Sequence, residues 1–139
     1  MSSDNLLIRI GASIHGIRGR VSGDAPLSAV TWLRAGGPAG VLFQPADEAD
    51  LASFLQHLPA DVPVLVIGLG SNLLIRDGGF DGVVIRLTGK GFGAIDRVGE
   101  TGIRAGAAVP DKRLAEFAAD AGLGGFAFYA GIPGAIGGA

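Results

Sequence analysis

Val64-Leu65-Val66-Ile67-Gly68-Leu69-Gly70-Ser71-Asn72-Leu73-Leu74 sets the reading of this chain. Val64 to Ile67 is apolar at every position, as expected of a strand covered on both faces in a parallel sheet. A glycine-rich loop follows at once, and the end of such a strand is where α/β sheets bind phosphates. Glycines let the main chain approach an anion, successive N–H groups can converge on it, and Ser71 and Asn72 add side-chain donors. A pyrophosphate suits Gly68 to Leu73; a plain strand-to-loop turn is the other reading of the same residues.

Working outward toward the N-terminus, Gly40-Val41-Leu42-Phe43-Gln44 is a short apolar run closed by Pro45 and reads as a second buried strand. Between the two, Asp47 is a good N-cap, and Leu51, Phe54, Leu55 and Leu58 recur at the spacing of one helical face before Pro59 and Pro63. Strand, helix and strand spell a βαβ unit. Residues 1–28, broken by Gly11, Gly16, Gly19 and Gly23, are expected to form a loosely packed arm in which only Leu6 to Ile10 could make a short helix or strand.

In the other direction, the turn Gly78 to Gly82 leads into Val83-Val84-Ile85-Arg86-Leu87, another strand. The pattern lapses at Gly89 to Gly93, and Gly102 to Ala107 reads as a strand with small residues on one face. A helix over Asp111 to Ala121 follows Pro110, with Leu114, Phe117, Ala118 and Ala121 inward and Gly122 as a left-handed C-cap. The chain closes on a second glycine loop, Gly131-Ile132-Pro133-Gly134-Ala135-Ile136-Gly137-Gly138, able to lie flat against a planar or phosphate group or simply to pack.

Known nucleotide fingerprints do not fit. The dinucleotide pattern G-x-G-x-x-G requires glycine where Leu73 stands. A P-loop ending at Lys90 would begin at Val84 and would put Gly91 in place of the hydroxyl residue. Binding rather than catalysis is the local capability, since neither glycine loop carries side chains suited to acid–base work.

Composition narrows the rest. With 139 residues, 48% hydrophobic and 17% charged, the chain suits one α/β domain rich in turns. Eleven basic and thirteen acidic residues give a net charge of −2 without a run of either sign, so no nucleic-acid partner is expected. Ala121 to Ala139 carries no charge, but seven glycines and Pro133 argue against a membrane span. The absence of cysteine and the polar start Met1 to Asn5 point to a cytoplasmic protein. His15 and His57 read as solvated residues, with no metal site expected. Asp47, Asp50, Asp77 and Asp81 have cap and turn roles available. Arg34 is within possible reach of an anion, with a surface role the simpler expectation. No catalytic residue is assigned.

Three segments in order, Thr31 to Ala39, the run Gly68 to Gly79 and Ala130 to Ala139, together resemble the UDP-N-acetylenolpyruvoylglucosamine reductase family of bacterial cell-wall synthesis. The resemblance implies an FAD-binding fold of the type shared with vanillyl-alcohol oxidase and p-cresol methylhydroxylase. That fold is a small parallel βαβ subdomain followed by the start of a mixed α+β one, here occupying residues 31–139 after an arm at 1–30. It implies FAD as cofactor, with Gly68, Leu69, Gly70, Ser71, Asn72 and Leu73 around the pyrophosphate. Gly131, Ile132, Pro133, Gly134, Ile136, Gly137 and Gly138 would lie along the cofactor toward the flavin. NADPH would be the hydride donor and a nucleotide sugar the substrate. The serine proton donor, glutamate and arginine of the family would lie in later sequence, together with the substrate domain, so the chain is expected to be truncated and inactive alone. Another FAD-dependent oxidoreductase of this fold, or a non-catalytic nucleotide-binding or interaction domain, is the alternative.

Overall fold

Val41, Phe43, Val83 and Val84 are wholly excluded from solvent, and the strands that carry them form the centre of a four-stranded sheet. The computed structural model of the chain describes residues 3–139; Met1 and Ser2, assigned to the arm from sequence, lie outside the described residues. The sheet runs β1 (Arg20–Pro26), β2 (Pro38–Gln44), β4 (Phe80–Arg86), β3 (Val64–Ile67) in spatial order. β1 is antiparallel to β2, whereas β2 and β3 both lie parallel to β4. The βαβ reading therefore needs one refinement: β4, later in sequence, is inserted between the two strands that the first crossover joins.

Alternation along the central strands gives the sheet two apolar faces. Val41, Phe43, Val83 and Ile85 pack with Leu6 and Ile10 near the end of α1 (Ser3–Arg9) and with Phe54 of α3 (Glu48–His57). Phe43 stacks on Phe54 with ring centroids 4.2 Å apart. On the opposite face Ala39 and Val84 meet Leu27, Ile67 and Ile75. Asp47 caps α3 by accepting the Asp50 N–H, as its position in the sequence suggests. Leu55, expected on the inner face of that helix, is instead 44% exposed.

Two sequence expectations are corrected. The arm is not loosely packed: α1, the short α2 (Gly11–Ile14) and β1 belong to the domain, with Leu6 and Ile10 in its core and β1 paired residue by residue with β2. Of the glycines that break its sequence period, Gly11 opens α2, Gly23 lies within β1, and Gly16 and Gly19 fall between elements. Nor is β3 covered on both faces. It is an edge strand whose Val64 and Val66 share a face with Val83 and Ile85, yet stay 41% and 59% exposed.

Beyond β4 the chain forms α4 (Gly89–Phe92), an antiparallel hairpin of β5 (Ile95–Val98) and β6 (Gly102–Ala105), and α5 (Asp111–Asp120). Leu114, Ala115 and Ala118 are the buried apolar residues of α5, and Gly122 ends it with φ +68°, the left-handed conformation expected of that cap. The final glycine loop is pinned to this second unit. Ile136 and Gly137 donate backbone hydrogen bonds to Val109 and Ala107, at 3.0 and 2.9 Å, and Pro110 bridges to Ala135. Among the described residues no helix is long and apolar enough to cross a membrane.

Candidate functional site

The first glycine loop leaves the C-terminal end of β3, and the segment Val30 to Pro38 buttresses it from behind. Trp32 N–H donates to the Gly70 carbonyl and Gly37 N–H to that of Arg76, each at 3.0 Å. Gly70 has φ +67°, and a Cβ there would strike the Val30 carbonyl oxygen, so glycine is required at this position. Gly68 is different: a Cβ would meet only the Ala135 Cβ, at 3.9 Å. The loop's main chain is fixed at one point and open to a cleft at another.

That cleft encloses about 650 Å³ and lies between the two glycine loops. One wall is Val66 to Leu73, the other includes Ile132 to Ala135 and Gly137 to Ala139, and Leu87, Ala107 and Asp111 also line the cleft. Of the residues expected along a cofactor, Gly68, Leu69, Gly70, Ser71, Asn72, Leu73, Ile132, Pro133, Gly134, Gly137 and Gly138 line this one cleft; Gly131 and Ile136 do not. Gly131 ends a short 3-10 turn, and Ile136 is turned half-buried into its own unit.

Two features suit the cleft to an elongated anionic cofactor. Among the described residues, no backbone N–H from Gly68 to Asn72 donates to a main-chain carbonyl, which leaves a run of donors available along the cleft wall. The second is size: the volume falls in the range of small-molecule and cofactor sites. Both fit the pyrophosphate and planar ends of FAD, which the loops can grip through main chain alone.

Asp111 was missed from sequence as a lining residue. Standing just after Pro110, it looks like an exposed first-turn carboxylate, yet it is fully buried and neither carboxyl oxygen has a hydrogen-bond partner among the described residues. Burial pushes its carboxyl above the ordinary range. No sequence signal separates this aspartate from a solvated one, because its burial comes from the returning loop at Gly134. The remaining candidates sit elsewhere. Arg34 is exposed away from the cleft, His15 and His57 are exposed, and His57 Nδ1 lies 2.9 Å from the Ser53 carbonyl.

A cleft built from two glycine loops on a mixed α+β scaffold defines a cofactor-binding domain of the flavin class. The family described as FAD binding domain matches residues 39–139, and the chain belongs to it. Among solved structures it is similar to UDP-N-acetylenolpyruvylglucosamine reductase from Thermus caldophilus, with a TM-score of 0.68 and 35% identity. That similarity covers 88% of this chain and 41% of the reductase, so the chain spans well under half the length of this relative.

Proposed function

We propose that the chain is the FAD-binding part of an NADPH-dependent oxidoreductase that reduces the enolpyruvyl group of UDP-N-acetylenolpyruvoylglucosamine in cell-wall synthesis. The observation that carries the reading is the run Gly68 to Asn72, whose N–H groups make no main-chain hydrogen bond among the described residues, lining one cleft together with the second glycine loop. The similarity to a reductase of that substrate supports the specific activity. In this reading Gly68 to Leu73 holds the pyrophosphate by main-chain N–H groups, and Ile132 to Gly138 forms the opposite wall and keeps water from the cofactor. Bound FAD would supply hydride-transfer chemistry. Asp111 is the one ionisable side chain lining the cleft among the described residues. Substrate orientation and protonation are therefore assigned to the serine, glutamate and arginine that the resemblance places in later sequence.

Equilibrium binding of FAD to the chain, followed by flavin fluorescence, tests this. Gly68→Asp is the informative variant, because the site tolerates a Cβ while a carboxylate there would repel pyrophosphate. Wild type should bind and the variant should bind at least about tenfold more weakly with unchanged thermal stability, a difference of about 1.4 kcal/mol. No binding by wild type, or equal binding by the two, would overturn the assignment. Gly70 is unsuitable for such a test, since any side chain there disturbs the fold itself.

A further inference from the structure

The chain buries two aspartates almost completely, and they differ in kind. Asp50, 3% exposed, accepts N–H bonds from Arg18, Gly19 and Ala46 at 2.7, 2.8 and 2.9 Å. Asp111, 0% exposed, accepts none among the described residues. A carboxyl removed from water without a donor destabilises the fold, so a position that keeps one calls for a compensating partner.

The surroundings of Asp111 show where that partner would come from. Its backbone is clamped to the second glycine loop, the Asp111 N–H donating to the Gly134 carbonyl at 3.0 Å. Its Oδ2 lies 3.0 Å from where a Cβ on Gly134 would stand, so the loop packs against the carboxyl and a side chain at Gly134 would crowd it. Asp111 lines the same cleft as Gly68 to Leu73. Lys112 and Arg113, next in sequence, are exposed and do not line it.

We propose that Asp111 is a cofactor-contacting residue, its carboxyl accepting a hydrogen bond from a hydroxyl or ring N–H of the bound dinucleotide. This rests on the FAD reading above. The cleft then has a polarity: main-chain donors at Gly68 to Asn72 attract the pyrophosphate, while the Asp111 carboxyl among the other lining residues accepts from a donor-bearing part. FAD would be fixed in one direction by one acceptor and one run of donors.

The experiment compares wild type, Asp111→Leu and Asp111→Asn in the 139-residue chain, reading FAD affinity by flavin fluorescence and thermal stability without ligand. Asp111→Leu should weaken FAD binding about ten- to a hundredfold while leaving ligand-free stability equal or higher, because an unpaired buried carboxyl is replaced by an apolar group of similar size. Asp111→Asn, closer in shape and retaining one acceptor, should bind with intermediate affinity. A purely structural role predicts the opposite pattern, with ligand-free stability lost in both variants and binding falling in proportion; that result overturns the proposal. Unchanged affinity in Asp111→Leu overturns it too, and if wild type binds FAD the cofactor reading survives that outcome. Failure of wild type to bind FAD overturns both.

Discussion

Asp50 ties three parts of the first unit together, since Arg18 and Gly19 precede β1 while Ala46 lies between β2 and α3. Burial alone would raise its pKa, but the N–H groups of Ala46, Arg18 and Gly19, with the Arg18 charge, outweigh burial and hold it below the ordinary carboxylate range. A folded-state value below the unfolded one, about 3.9, means that this stabilisation is present above about pH 4 and disappears as pH falls through the folded value. Replacing Asp50 by Asn turns one acceptor into a donor facing N–H groups. Urea unfolding should show Asp50→Asn about 2–3 kcal/mol less stable at pH 7, with a shallower loss below pH 4. Some acid sensitivity should remain, because the exposed Asp47, hydrogen-bonded to Arg18 and to the Asp50 N–H, is also held low. Equal stability of wild type and variant at pH 7 would refute this account.

Element by element, position in the sheet decides what a side chain contributes. Ile85 in central β4 is 1% exposed, while Val66, its register partner on edge strand β3, is 59% exposed on the same face. Ile85→Ala should cost about 2–5 kcal/mol and Val66→Ser within about 0.5 kcal/mol, measured by chemical denaturation. A large loss in Val66→Ser would show that this edge is covered in solution. The same contrast explains what was legible beforehand. β2, α3, β3, β4, β6 and α5 announce themselves through apolar runs, an N-cap and a C-cap glycine, which are local signals. Strand order is not local: nothing in Val83 to Leu87 says that it inserts between two earlier strands. β5, Ile-Asp-Arg-Val, is too short and mixed to stand out, and the arm is legible only through Leu6 and Ile10 meeting Phe43 and Phe54 across the sequence. At the cleft, the glycine loops were readable from composition, whereas Asp111 was not, because its burial is produced by a loop more than twenty residues later.

At the scale of the molecule, the two walls of the cleft belong to different units: the sheet carries Gly68 to Leu73, and the unit of β5, β6 and α5 carries Ile132 to Gly138. No main-chain hydrogen bond joins residues 68–75 to residues 131–139 among those described. A ligand spanning the cleft would add contacts that tie the two loops together. FAD at a hundredfold excess over its Kd should therefore stabilise the chain by about 2.7 kcal/mol, which raises Tm by about 10 °C in a domain of this size. Amide hydrogen exchange localises the effect: protection should rise in both residues 68–75 and residues 131–139, since both walls are ordered by one molecule. Gly68→Asp, binding at least about tenfold more weakly, should lose about half of the stabilisation or more at the same FAD concentration, with both increases falling together. Protection confined to one loop would mean that the ligand sits on a single wall, and the two-loop cleft would then not be the FAD site.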